Sequence, residues 1–129
     1  MSPMIPRLIF SSEAPAPVGP YSQAVECGNL IFISGQIALD KDTSEVIGST
    51  LKEQTRAALK NLKAILTSQG LTSGSLVKTT VFLRDIGAFG DFNQIYQEEL
   101  GDARPARSVV EVSGLPKNVL VEIEAVACR

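Results

Sequence analysis

The residues best suited to chemistry in this 129-residue chain are an arginine and two glutamates. Arg107 lies in the run Arg104-Pro105-Ala106-Arg107-Ser108-Val109-Val110-Glu111-Val112, and Glu122 and Glu124 lie in Val119-Leu120-Val121-Glu122-Ile123-Glu124-Ala125-Val126-Ala127. A guanidinium can grip a planar carboxylate through two parallel hydrogen bonds, and a neighbouring carboxylate can orient water or move a proton. Histidine is absent. That excludes Ser-His-Asp and Cys-His nucleophile systems, imidazole bases and His-bearing zinc sites within one chain type. Chemistry is left to carboxylate, hydroxyl, arginine, backbone or water.

Both runs are rich in β-branched residues, and Ser113 to Asn118 supplies turn chemistry between them, so they read as neighbouring antiparallel strands. Side chains alternate across a strand. Ser108, Val110 and Val112 therefore share one face and Arg107, Val109 and Glu111 the other. In the second run Val119, Val121, Ile123, Ala125 and Ala127 form an apolar face opposite Leu120, Glu122, Glu124 and Val126. Matching the two apolar faces predicts Arg107 on the same side as both glutamates. Two readings stand: a cross-strand ion pair, or an organic-acid site kept partly dry by Val109, Leu120 and Val126.

The rest of the chain supplies the frame. Arg7 to Phe10 predicts a first strand, and the prolines between Glu13 and Pro20 hold an extended path. Tyr21 follows, either as a packing residue at a strand start or as a pocket wall. Ala24–Cys27 and Leu30–Gln36 flank Gly28-Asn29 and predict a hairpin. Ser34 and Gly35 end its second strand, as punctuation or as a place where a ligand approaches the backbone. Asp40 to Gly48 is polar and predicts a loop. Thr50-Leu51-Lys52-Glu53 is a capping box, and Leu51, Thr55, Ala58, Leu59, Leu62, Ile65 and Leu66 recur at helical spacing up to Gly70. This helix has about 19 residues, and its polar face of Lys52, Arg56, Lys60 and Lys63 reads as solvated. Leu76 to Arg84 predicts a strand, and Phe89, Phe92, Asn93, Tyr96 and Leu100 a shorter helix. Asn93 is either a solvent-facing amide or the edge of a pocket.

This order gives a single α+β domain over residues 1–129, with both helices on one sheet face. The other face carries Phe82, Val109, Leu120 and Val126 among charged groups, and a second subunit is expected to cover it. A net charge of −2 with scattered Lys and Arg argues against a nucleic-acid surface. Cys27 and Cys128 are too few for a disulfide framework or metal knuckle. No apolar run approaches a membrane span. The expected compartment is the cytoplasm; a mitochondrial address is the alternative, because Arg7, Ser11 and Ser12 precede the first acid, Glu13.

Gly19-Pro20-Tyr21-Ser22-Gln23-Ala24, Ile33-Ser34-Gly35-Gln36, Val77 to Phe82, Pro105-Ala106-Arg107-Ser108, and Leu115-Pro116-Lys117 through Glu122-Ile123-Glu124-Ala125 resemble, in that order, the RidA family, also called YjgF/YER057c/UK114. The resemblance covers the chain from about Ala14 to Ala127. It implies a chorismate-mutase-like, ferredoxin-like sandwich with a mixed sheet, assembled as a homotrimer with active clefts between subunits. It also implies cofactor-free and metal-free deamination of enamine and imine intermediates, such as 2-iminobutanoate and 2-iminopropanoate, to 2-oxo acids and ammonia. By position, Arg107 would hold the substrate carboxylate and Glu122 would orient or activate water. Tyr21, Ser34 and Asn93 would line the cleft, and Gly35 would contribute backbone. Val109 stands where some members have cysteine, so only a backbone contact is available there. Arg104 replaces an aromatic residue that some relatives carry before the proline. Rival readings are a ribonuclease or translation inhibitor, and a non-catalytic carboxylate binder or chaperone-like protein.

Overall fold

The longest helix begins where the sequence offers a hydroxyl and a carboxylate three residues apart. In the structure, a computed structural model that describes residues 4–129, Thr50 caps α1 (Leu51–Ser68). Thr50 Oγ1 accepts from Glu53 N at 3.2 Å, and Glu53 Oε1 accepts from Thr50 N at 3.1 Å. Leu59, Leu62, Ile65 and Leu66 form its buried stripe. Beyond its end Gly70 adopts φ 71°, a conformation open to glycine at little cost.

Six strands follow the predicted positions: β1 (Arg7–Ile9), β2 (Ala24–Cys27), β3 (Leu30–Gln36), β4 (Leu76–Leu83), β5 (Ala106–Glu111) and β6 (Val121–Cys128). They form one sheet in the order β1-β2-β3-β6-β4-β5. Every neighbouring pair is antiparallel except β4 and β5. A parallel pair needs a crossover, and α2 (Phe89–Leu100) lies in that connection. Both helices pack on one face of this mixed sheet, where Ile31, Ile33, Val81, Leu83, Phe92, Val121 and Ile123 join the helical stripe in one core.

The register corrects one sequence expectation. β5 and β6 are not neighbours, because β4 lies between them. Thr79, Val81 and Leu83 of β4 are fully buried under the helices and stand opposite Arg107, Val109 and Glu111 of β5. Arg107 and Val109 therefore belong to the helix side. In β6 it is Val121, Ile123, Ala125 and Ala127 that are buried, which turns Glu122 and Glu124 to the open side. Matching apolar faces failed because the sheet has two of them. Val110 belongs to the open side, beside Phe82, and Phe32 stands opposite Val126 there. Phe32 is 48% and Val110 42% exposed.

A second correction concerns α1. Arg56 pairs with Glu98 and Glu99 of α2, Lys63 pairs with Glu99, and Lys52 donates to Gln94. Much of the polar face read as solvated is thus a seam of ion pairs between the helices.

Arg129, and then Arg7, close on Glu26 and hold its carboxyl down to about 2. Folding thus favours the ionised form. The resulting stability is present above the ordinary glutamate value of 4.5 and disappears as pH falls toward about 2. Glu26→Gln is expected to lower the thermal midpoint at pH 7, with the difference from wild type shrinking by pH 2 to 3 in melts followed by circular dichroism.

Candidate active site

Arg107 is held by α2. The edge position of β5 leaves its guanidinium at the rim of the core, where aromatic residues three and four positions apart on the helix meet it. The guanidinium carbon lies 4.9 Å from the ring centre of Tyr96, 5.3 Å from Phe89 and 5.9 Å from Phe92. Nη1 donates to Asn93 Oδ1 at 2.8 Å. The Tyr96 phenol is itself fixed by a 2.8 Å hydrogen bond with Thr79 Oγ1. Aromatic faces attract a cation while using none of its donors. Among the described residues Nε and Nη2 of Arg107 have no protein acceptor and no carboxylate is paired with it, so the edge that matches a carboxylate stays free. Asn93, Tyr96 and Arg107 line a cavity of about 490 Å³.

Glu122 belongs to a different cavity, of about 410 Å³, on the other side of the molecule's sheet. Tyr21, Ser34, Gly35 and the prolines Pro15 and Pro17 share its wall with Glu122 and Glu124. Gln23 fixes this wall: its buried amide accepts from Ser11 N and donates to the carbonyls of Ser11 and Pro15, pinning the proline-rich loop. Ser34 Oγ donates to Ser22 O at 2.6 Å. The β3–β6 register shifts between Ile33 and Gln36, and this irregularity brings Gly35 beneath the Glu122 side chain. A Cβ at Gly35 would overlap Glu122 Oε2 and lie 2.7 Å from its carboxyl carbon. Glycine leaves the carboxylate room in this position, and a larger residue would push the Glu122 side chain aside. Burial, and then the neighbouring Glu124 charge, raise the Glu122 carboxyl above the ordinary glutamate value.

The expected site residues thus separate into two groups. Tyr21, Ser34, Gly35 and Glu122 come together in one cavity, and Asn93 and Arg107 in the other. Val109 shares the face of Arg107, but packs against the core and lines neither cavity. The aromatic cage escaped the sequence reading. Phe89, Phe92 and Tyr96 were visible as a helical stripe, but their service to Arg107 depends on β5 lying under α2. Pro116 was also missed as part of the Glu122 wall. It follows from the left-handed backbone at Lys117 and Asn118, at φ 56° and 57°, which has no glycine to announce it.

The Arg107 cavity presents a guanidinium edge suited to an anion. The other offers a carboxyl with a raised pKa beside a hydroxyl and a bare backbone. Among the described residues there is no group of His, Cys, Asp and Glu able to hold a metal ion, and no helix long and apolar enough to cross a membrane.

The model of the family described as Endoribonuclease L-PSP matches residues 11–129. The chain is 48% identical over 126 residues to a RutC family protein of Pyrococcus abyssi, covering 98% of this chain and 99% of that one. It is 42% identical over 129 residues to the 2-iminobutanoate/2-iminopropanoate deaminase of Mus musculus, covering 100% of this chain and 96% of the mouse protein. The crystal structure of the YjgF gene product of E. coli superposes with a TM-score of 0.89 at 44% identity, over 95% of this chain and 98% of that one.

The raised Glu122 carboxyl fixes the sign of a stability change. Folding disfavours its ionised form, so Glu122 costs stability at neutral pH, and that cost vanishes as pH falls below the unfolded value of 4.5. Glu122→Gln is expected to raise the thermal midpoint at pH 7 and to match wild type near pH 4, measured by differential scanning calorimetry.

Proposed function

The chain belongs to the Endoribonuclease L-PSP family, the group of YjgF and Rid proteins, and we propose that it hydrolyses small 2-imino acids to 2-oxo acids and ammonia without a cofactor. The observation that carries this reading is the free Nε–Nη2 edge of Arg107, caged by three aromatic rings and unpaired by any acid among the described residues. Such an edge is suited to the carboxylate beside the imine carbon. The name of the mouse relative supports the same chemistry.

A protonated imine is already electrophilic, so the protein has only to fix the carboxylate, place a water and manage one proton. In the proposed step, Glu122 takes a proton from water as its oxygen bonds to the imine carbon, giving a tetrahedral amino alcohol. Glu122 returns that proton to the nitrogen as the C–N bond breaks. The hydroxyl proton passes to solvent water as the 2-oxo group forms, and ammonia departs. A carboxyl raised by burial is better matched to this exchange near neutral pH than an ordinary surface glutamate.

Within one chain Arg107 and Glu122 lie on opposite faces with β4 between their strands. The proposed enzyme is therefore a homotrimer in which Arg107 of one subunit meets the Glu122 cavity of the next. The open sheet face supports such an assembly, since Leu8, Phe32 and Val110 expose apolar surface on it. A cytoplasmic setting suits the free thiols Cys27 and Cys128. RNA cleavage is the less supported reading, because the chain is acidic by two charges and has no histidine for acid–base transfer.

The test generates 2-iminobutanoate from threonine with a threonine dehydratase and traps the residual imine with semicarbazide. Wild-type protein is expected to suppress the adduct, and Arg107→Ala to lose roughly 10²-fold or more of that effect while remaining trimeric by light scattering. No protein-dependent fall in adduct would overturn the deaminase reading. Full activity in Arg107→Ala would overturn the anchoring role.

A further inference from the structure

The cavity beside Arg107 contains a second guanidinium that the reaction above does not use. Arg104 stands three residues earlier, and in an extended strand that spacing would point it away from Arg107. It precedes β5, however, and its Nη1 turns back to donate to the carbonyls of Gly101 at 2.6 Å and Ala103 at 2.8 Å. The negative end of the α2 dipole favours a cation there. Both guanidinium groups then line the same cavity of about 490 Å³.

The two arginines are prepared in the same way. Each uses Nη1 on a protein acceptor, and for neither is an acceptor found for Nε or Nη2 among the described residues. Neither is paired with a carboxylate there, whereas Arg7, Arg56 and Arg129 all are. No Asp or Glu lines the cavity; its other polar side chains are the neutral amides Asn93 and Gln97 and the Tyr96 phenol. A monoanion would neutralise one of two like charges facing a shared space. A dianion would neutralise both and relieve their repulsion.

We propose that this cavity selects 2-imino acids carrying a second carboxylate, with Arg107 holding the carboxylate next to the imine carbon and Arg104 the distal one. The proposal rests on the deaminase reading for its chemistry, but its selectivity can be measured without turnover. A four- or five-carbon imino diacid fits comfortably within the volume of a small-molecule site.

Two measurements separate the claims. The first compares kcat/KM for 2-iminosuccinate, formed in situ by an L-aspartate oxidase, with kcat/KM for 2-iminobutanoate. Arg104→Ala is expected to lower the ratio of the two by about tenfold, chiefly through KM for the diacid. The second titrates 2-oxoglutarate and 2-oxobutanoate into the intact assembly by calorimetry. Wild type is expected to bind the diacid about tenfold more tightly, and Arg104→Ala to bring the two together. Equal affinities in wild type, or an equal loss for both ligands in Arg104→Ala, would overturn the selectivity. A diacid preference in binding with neither imine hydrolysed would overturn the deaminase reading alone and leave the second carboxylate site standing.

Discussion

Side-chain parity across a β-sheet is the constraint from which the rest follows. The buried rows Thr79-Val81-Leu83 and Val121-Ile123-Ala125-Ala127 must both face the helices. That requirement fixes Arg107 on the helix side of β5 and Glu122 on the open side of β6. Reversing either residue alone would mean shifting a whole strand by one position and turning a buried apolar row into water. Arg107 and Glu122 are consequently kept apart within a chain, and the proposed reaction would need a cleft shared between copies. The apolar surface left on the open face is the same constraint seen from the other side, since Phe32 and Val110 cannot join the helical core.

Each cavity is ordered by the protein's own contacts. Three rings and one amide fix the Arg107 guanidinium while leaving a carboxylate-shaped edge free, so little side-chain entropy remains to be lost on binding. Across the sheet, the glycine at position 35 makes room for the Glu122 carboxyl, and burial together with Glu124 raises its pKa. The bulge in β3, the pinned proline loop and the left-handed turn after Pro116 all serve that second cavity. The stability cost of a half-buried acid is thus concentrated where proton exchange would need it.

Much of this frame is legible in the residues. Thr50 and Glu53 announce the start of α1, Gly28-Asn29 announces the hairpin, and alternation marks each strand. Those signals are local. Strand order is not local, and a turn-like Ser113 to Asn118 gives no hint that the chain passes β4 after β5 so that β6 inserts between β3 and β4. The sequence reading sets Arg107 beside Glu122 across two adjacent strands, whereas the structure places β4 between those strands and the two side chains on opposite faces. The cage around Arg107 and the turned-back Arg104 were unreadable for the same reason, because both depend on where the edge strand meets α2.

In the proposed enzyme Arg107 and Glu122 act from different copies of the chain. Arg107→Ala and Glu122→Gln, each inactive alone on 2-iminobutanoate, can be co-expressed with distinguishable tags and the doubly tagged assemblies purified. If the cleft is shared, some boundaries in those assemblies combine an intact Arg107 with an intact Glu122. A ring of three that contains both variants has one such boundary, so the purified mixed assemblies should regain about a third of wild-type activity. Activity no higher than the sum of the two parents, in assemblies proven to be mixed, would contradict it.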